Sequence, residues 1–189
     1  MGALFFRLAM LHDLDTELFR AINERWTCAV MDWLGIALQN PRWLWLPAAL
    51  LLLWLWWKGD RRDWLFVAIL ALTVAVTDIV CARLLKPWIG RLHPTDALDG
   101  VRALVGCKHG FSMPSNHAAN LAAASMLIAA RIRQLALPAA LITFFVGYSR
   151  IYVGVHFPLD VLAGFAAGIV IGLGGIVAWQ WVDSIATRS

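Results

Sequence analysis

Ser149-Arg150-Ile151-Tyr152-Val153-Gly154-Val155-His156-Phe157-Pro158-Leu159-Asp160 is the stretch that decides how this chain folds. One apolar run, Leu135–Tyr148, leads into it, and another, Leu159–Trp181, leads out of it. A second short stretch, Pro114-Ser115-Asn116-His117, stands at the mouth of a further run. Between them they collect an arginine, a serine, two histidines and an aspartate in a region otherwise poor in polar side chains. Such groups are costly at membrane depth, so their gathering points to a site.

The surrounding chain has membrane composition. Of its 189 residues, 61% are hydrophobic, and the mean hydropathy is +0.70. Soluble domains average about 45–50% apolar residues. The runs Trp43–Trp57 and Trp64–Leu85, like the two above, leave almost no polar face. A helix that is apolar all round is a membrane span or the core of a much larger protein, and here too little chain remains to wrap such a core. The expectation is one integral-membrane domain over residues 1–189. Many of the eleven tryptophans, Trp43, Trp54, Trp64, Trp88 and Trp179 among them, fall near span ends, where amphipathic rings anchor at headgroups. The net charge of +4 is small and gives no reason to expect nucleic acid. Cys28, Cys81 and Cys107 lack the spacing of a metal site or redox pair. Met1–Met10 is apolar but lacks a signal-peptide cleavage site and is expected to be retained.

In order, Asp13–Glu24 carries Leu14, Leu18, Phe19 and Ile22 at helical spacing and reads as an amphipathic helix on the membrane surface. Six spans follow: a short one at Trp26–Leu38, then Trp43–Trp57, Trp64–Leu85, Ser115–Ile132, Leu135–Val153 and Pro158–Trp181. The expected fold class is therefore all-α, a polytopic membrane protein with six transmembrane helices and a short N-terminal amphipathic helix. Asp78, inside the third span, reads as a helix-packing contact paired with Arg83. Pro158 suits the first turn of the last span. Gly164, Gly168 and Gly172 repeat at small-xxx-small spacing, which predicts a face packed against another helix. Lys58, Arg61 and Arg62 share one side of this layout with Arg131 and Arg133, and with Arg7, Arg20 and Arg188 at the termini. The positive-inside rule makes that side cytoplasmic. The loop Lys86–Pro114 and the break at His156 then face the opposite side.

Three clusters meet on that outer side: Lys86–Pro94, Pro114–His117 and Ser149–Asp160. Ser115 is a good N-cap, and a capped helix start is an anion site. Lys86, Arg91 and Arg150 add positive charge, and an arginine can fork two hydrogen bonds to phosphoryl oxygens. The implied anion is a phosphate. Asp160, four residues after His156, can hold one ring nitrogen and leave the other free to attack. His117, in a first helical turn, can protonate a departing oxygen. Those are the parts of phosphoryl transfer by positioning and charge, without a metal or cofactor.

These clusters resemble the tripartite signature of the type-2 phosphatidic acid phosphatase superfamily. Its third part matches at Ser149, Arg150, His156 and Asp160, its second at Pro114, Ser115 and His117, and its first at Lys86 and Pro94. The resemblance runs over Lys86–Asp160. It implies that His156 forms a phosphohistidine and is oriented by Asp160. His117 is then the acid, and Lys86, Arg150 and Ser115 hold phosphate. Two positions depart from the family. His93 stands where an arginine is usual; either Arg91 compensates, or His93 binds phosphate when protonated. Asn116 replaces a glycine, and its amide either adds a phosphate donor or narrows the pocket and changes the substrate.

The resemblance implies a metal-independent membrane lipid phosphatase in a bacterial inner membrane, acting on a lipid phosphate or pyrophosphate at the periplasmic or extracytoplasmic face. Undecaprenyl pyrophosphate is the first expected substrate. Lipid A, phosphatidylglycerophosphate and transfer to a second lipid are the alternatives. The motifs hold phosphate and do not read the lipid, and nothing here fixes an oligomeric state. A proton-coupled transporter is disfavoured, because it would need polar residues lining several spans at midplane.

Overall fold

The computed structural model describes residues 2–40, 49–50, 52–54 and 56–187. Every regular element among them is helical. We number the main helices α1 (Gly2–Arg20), α2 (Ala29–Ala37), α3 (Arg61–Ile79), α4 (Asn116–Arg131), α5 (Ala136–Tyr152) and α6 (Pro158–Ala186). Among the described residues three helical stretches are long and apolar enough to cross a membrane: Arg61–Ile89, Arg133–Tyr152 and Pro158–Ala186. Most of the expected second span, with Trp43 and Trp45, lies outside the described residues. Its described remainder at 49–50, 52–54 and 56–58 is helical.

Two N-terminal elements differ from expectation. The expected first span is the nine-residue α2, about 13 Å long at 1.5 Å per residue. The helix expected at Asp13–Glu24 begins much earlier, at Gly2, and ends in a π-helical turn at Ala21–Arg25. It is anchored through one face. Phe19 and Ile22 are buried in the main core with Tyr152, Val153, Val155 and Phe157, while Leu14 and Leu18 are exposed.

The centre of the fold is α6 against α4. Alanines on α4 and glycines on α6 let the backbones touch: a Cβ at Gly168 would lie 2.2 Å from the Ala119 carbonyl oxygen, and one at Gly164 would lie 2.6 Å from that of Ser115. Gly175 makes room for a side chain instead: a Cβ there would lie 2.6 Å from Thr73 Oγ1 on α3. The small-residue face expected on the last span is thus the seam that brings α6 and α4 together.

Opposite ends of this bundle have different jobs. At one end Asp60 and Asp63 form a capping box that starts α3. There Arg131 pairs with Asp63 and lies over the rings of Phe66 and Trp179, and Arg62 forks onto Asp183 at 2.7 Å. Arg62 and Arg131, expected on one side, therefore do share an end, but Arg20, expected with them, lies at the opposite end, where it pairs with Glu24 and reaches the Asp99 carbonyl of the loop. At the other end α3 continues through a π-helical turn, Val80–Leu85, to Ile89, and stops at Gly90 with φ +67°. The loop after it is pinned, not loose. Asn23 donates to the Arg102 and Tyr152 carbonyls and accepts from the Arg102 amide, which ties the loop to the ends of α1 and α5.

Candidate active site

The second end collects the close of α3, the start of α4, the close of α5 and the start of α6. Each delivers one part of the sequence pattern. Lys86 comes from the extension of α3, and its ammonium donates to the Phe111 and Ser112 carbonyls at 2.9 and 3.3 Å. Ser112 returns hydrogen bonds to the Arg91 and Leu92 carbonyls, so the first and second clusters are stitched together. The Ser115 amide donates to the Asp160 carbonyl at 2.9 Å, which joins the second cluster to the third.

His156 sits in the tight connection between α5 and α6. Its amide and that of Val155 both donate to the Arg150 carbonyl, at 3.2 and 3.1 Å, so the chain folds back over the end of α5. Pro158 then starts α6, and the Asp160 carboxylate accepts the Phe157 amide at 2.9 Å. Asp160 Oδ2 faces His156 Nδ1 at 3.5 Å, longer than an ordinary hydrogen bond. Such contacts tighten when substrate binds. Burial pushes the His156 imidazole down to about 4 against the pull of Asp160, so the ring is neutral at pH 7, with Nδ1 toward Asp160 and Nε2 without a hydrogen bond among the described residues.

Asp160 is fully buried, and its counter-charge is Arg91, whose Nη1 donates to Oδ1 at 3.0 Å. The other arm of Arg91 binds Asp15, and the guanidinium lies over the Phe157 ring at 4.1 Å. Asp15 in turn accepts the Leu159 amide at 2.8 Å. Arg91 was expected on a phosphate. Both of its arms are instead spent on carboxylates behind the histidine. Asp15 itself was missed. The signal was present, because Asp15, Phe19 and Ile22 fall at i, i+4 and i+7, on one helix face.

His93 is buried and stacked near His156, with ring centroids 5.2 Å apart. Its Nδ1 lies 2.6 Å from the Val155 carbonyl, which makes that nitrogen the protonated donor. Burial holds its pKa below the ordinary value, against the effect of that hydrogen bond, so the ring that replaces the usual arginine is neutral. Arg150 is only 7% exposed, and its guanidinium has no hydrogen bond or ion pair among the described residues. Ser115 occupies the N-cap position of α4 but makes no capping bond; its Oγ is fully buried without a partner. The fields of Arg150 and Lys86 reach both His156 and His117.

His117 lies on the first turn of α4 and lines a cavity of about 380 Å³ with Asp78, Asn116 and Asn120. Asn116 does not stand with the phosphate cradle: its amide donates to Asp78 at 2.8 Å. Asp78 is therefore a contact between α3 and α4, made through asparagines and not through Arg83. An aspartate and an arginine five residues apart do not share a helix face. Among the described residues no three His, Cys, Asp or Glu side chains cluster as metal ligands.

A buried arginine without a counter-charge, an unpartnered serine hydroxyl at a helix start and a neutral histidine facing a carboxylate are groups able to receive a phosphate. The PAP2 superfamily model matches residues 63–184. The chain belongs to the PAP2 superfamily. A lipid A 4'-phosphatase from Bacteroides thetaiotaomicron is 30% identical, over 96% of this chain and 82% of that protein. An undecaprenyl-diphosphatase from Sulfolobus acidocaldarius is 29% identical, over 82% of this chain and 73% of that one. The solved structure of Aquifex aeolicus LpxE superposes with a TM-score of 0.66 at 25% identity, over 86% of this chain and 94% of that chain. This PAP2 chain is a membrane lipid phosphatase, a hydrolase of phosphate esters.

Proposed function

We propose that this PAP2 phosphatase removes a terminal phosphate from a lipid through a phosphohistidine formed on His156. The observation that carries the reading is the Arg150 guanidinium, buried without a partner where its charge acts on both His156 and His117, together with the unpartnered Ser115 hydroxyl at the start of α4. A buried cation without a counter-charge is costly, and a phosphoryl group supplies both charge and acceptors. Arg150, Lys86, the Ser115 hydroxyl and the free amides at the start of α4 form the cradle. His156 Nε2 attacks phosphorus as the phosphorus–oxygen bond to the lipid breaks. His117 gives its proton to the leaving oxygen. It then takes a proton from the water that cleaves the phosphorus–nitrogen bond, and inorganic phosphate leaves. Asp160, held by Arg91, keeps His156 in the attacking tautomer. No step requires a metal.

The membrane arrangement follows the same reading. Residues 1–189 form one integral-membrane domain in a bacterial inner membrane, crossed at least by the three long apolar helical stretches, with α1 packed by Phe19 and Ile22 against the active-site end. Charged groups that pair at one bundle end support a cytoplasmic end there and a periplasmic active site at the other. The cradle fits undecaprenyl pyrophosphate, the substrate expected from sequence, and it fits a lipid phosphate monoester equally well. It does not choose between them.

The test is phosphate release by purified protein from undecaprenyl pyrophosphate, phosphatidylglycerophosphate, phosphatidic acid and lipid A in the presence of EDTA. Release from at least one, with an alkali-stable, acid-labile phosphoenzyme trapped by rapid quench, is the expected result. Activity that EDTA abolishes and a divalent ion restores contradicts the histidine mechanism.

A further inference from the structure

We propose that Asp78, clamped by Asn116 and Asn120, forms a leaving-group subsite that selects phosphate monoesters on hydroxyl- or amide-bearing headgroups and rejects diphosphates. The inference rests on the phosphatase reading above, in which His117 protonates the departing oxygen. The group that departs then lies on the His117 side, in the cavity that His117 shares with Asp78, Asn116 and Asn120.

Asp78 is an exposed carboxylate inside a candidate membrane span. Such a group is expensive to keep unless it has a task. Its fixation is one-sided. Asn116 and Asn120, one helical turn apart on α4, both donate to Oδ1, at 2.8 and 3.0 Å, and Asn116 also reaches the Asp78 carbonyl at 3.3 Å. A carboxylate offers only acceptors, so both asparagines must turn their amino groups toward it. Oδ2 has no hydrogen bond or ion pair among the described residues; His117 and Lys86 act on the carboxylate only through their fields. Two on one oxygen fix the carboxylate and leave its other oxygen as an unused acceptor on a residue that lines the cavity.

Charge then sorts the substrates. Hydrolysis of a lipid diphosphate releases a phosphate monoester, an anion, against the Asp78 carboxylate. Like charges close together in a low-dielectric site repel strongly. Hydrolysis of a monoester releases a neutral alcohol. A neighbouring hydroxyl or amide N–H on that alcohol can donate to Oδ2, and a site built to receive such a donor discriminates against analogues that lack it. The substrate class is a phosphate monoester on a sugar or other donor-bearing headgroup.

The experiment compares kcat/KM on two probes in the same preparations: undecaprenyl pyrophosphate, and a lipid phosphate monoester on an N-acylated glucosamine. Because the result is a ratio, the folded fraction of each variant cancels. Wild type is expected to favour the sugar monoester at least tenfold. Asp78→Asn removes the charge at nearly constant shape and should move the ratio toward the diphosphate at least tenfold. Asn120→Leu loosens the clamp and should lower the preference in the same direction. A wild-type preference for the diphosphate, or a ratio that Asp78→Asn leaves unchanged, overturns the proposal while the phosphatase reading stands. No turnover of either lipid, or of an aryl phosphate, overturns the phosphatase reading itself and the subsite with it.

Discussion

Arg91 Nη1 donates to Asp160 Oδ1 at 3.0 Å, and through this contact the loop after α3 holds the carboxylate that faces His156. Asp160 is fully buried and Arg91 half-buried, and the second carboxylate on Arg91, Asp15, lies only 4% exposed on α1. Helix α1 is thus tied to the site by charge as well as by Phe19 and Ile22. Asp15, Arg91, Asp160 and His156 form one line, in which a single cation balances the two acids. Arg91 is a positioning residue; its charge acts on His156 only through Asp160.

Removing that cation should change the titration of His156 as well as the stability. In Arg91→Met the Asp160 carboxylate keeps the Phe157 amide but loses its counter-charge. An unbalanced carboxylate beside His156 favours the imidazolium, so the acid limb of kcat/KM should move upward. Breaking a buried pair costs about 3–5 kcal/mol, which should appear as a lower melting temperature in detergent. Arg91→Lys should recover part of both. Lost stability with an unmoved acid limb would mean that Arg91 only braces the fold.

In the unmodified enzyme the limb should lie low. The His156 pKa is depressed from 6.5 to about 4, first by burial. Such a group contributes stability that is present above about 6.5 and lost as the pH falls through the folded value near 4. The attacking imidazole should therefore stay neutral well below pH 6.5, and the acid limb of kcat/KM should sit below that value. A limb at or above 6.5 in a protein that remains folded contradicts this.

Sequence carried much of the site and less of its support. The spacing of Ser149, Arg150, His156 and Asp160 already placed the carboxylate under the histidine, because a four-residue step across a helix start leaves few other geometries. The long spans were legible from unbroken apolar runs. Asp15 was hidden because an acid in an amphipathic segment looks solvated until its helical phase with Phe19 and Ile22 is followed. Arg91 looked like a phosphate ligand because charge sign does not say which anion it meets. Asp78 was matched to a nearby arginine in sequence, while its partners lay on the next helix. Local pattern fixes a residue's element; only packing fixes its neighbour.

The α4–α6 seam makes a prediction about stability alone. At Gly168 any Cβ would press on the Ala119 backbone, 2.2 Å away. Gly168→Ala should destabilise by about 1–3 kcal/mol, or prevent folding. Gly174, on the same helix, is exposed with nothing within 4 Å of its added Cβ. Gly174→Ala should be neutral or slightly stabilising, since alanine is the better helix former by about 1 kcal/mol. Melting of both variants in detergent tests the pair, and equal losses would contradict the seam.

The two histidines should separate by the quality of the leaving group. His156→Ala removes the proposed attacking nitrogen and should abolish turnover of every substrate. His117→Ala removes only the proposed proton donor. General-acid help is worth roughly 10²–10⁴-fold, and a strongly acidic phenol leaves as its anion without it. With such an aryl phosphate His117→Ala should keep far more activity than it keeps with an alkyl phosphate lipid. Asp160→Asn should fall between, because it weakens the hold on His156 Nδ1 without deleting the nucleophile. His117→Ala should also accumulate phosphoenzyme from the aryl substrate, because the water that cleaves the phosphorus–nitrogen bond loses its base. Rapid quench reads that species directly. Equal losses in both histidine variants with the aryl phosphate, or a phosphoenzyme that persists in His156→Ala, would show that the nucleophile lies elsewhere.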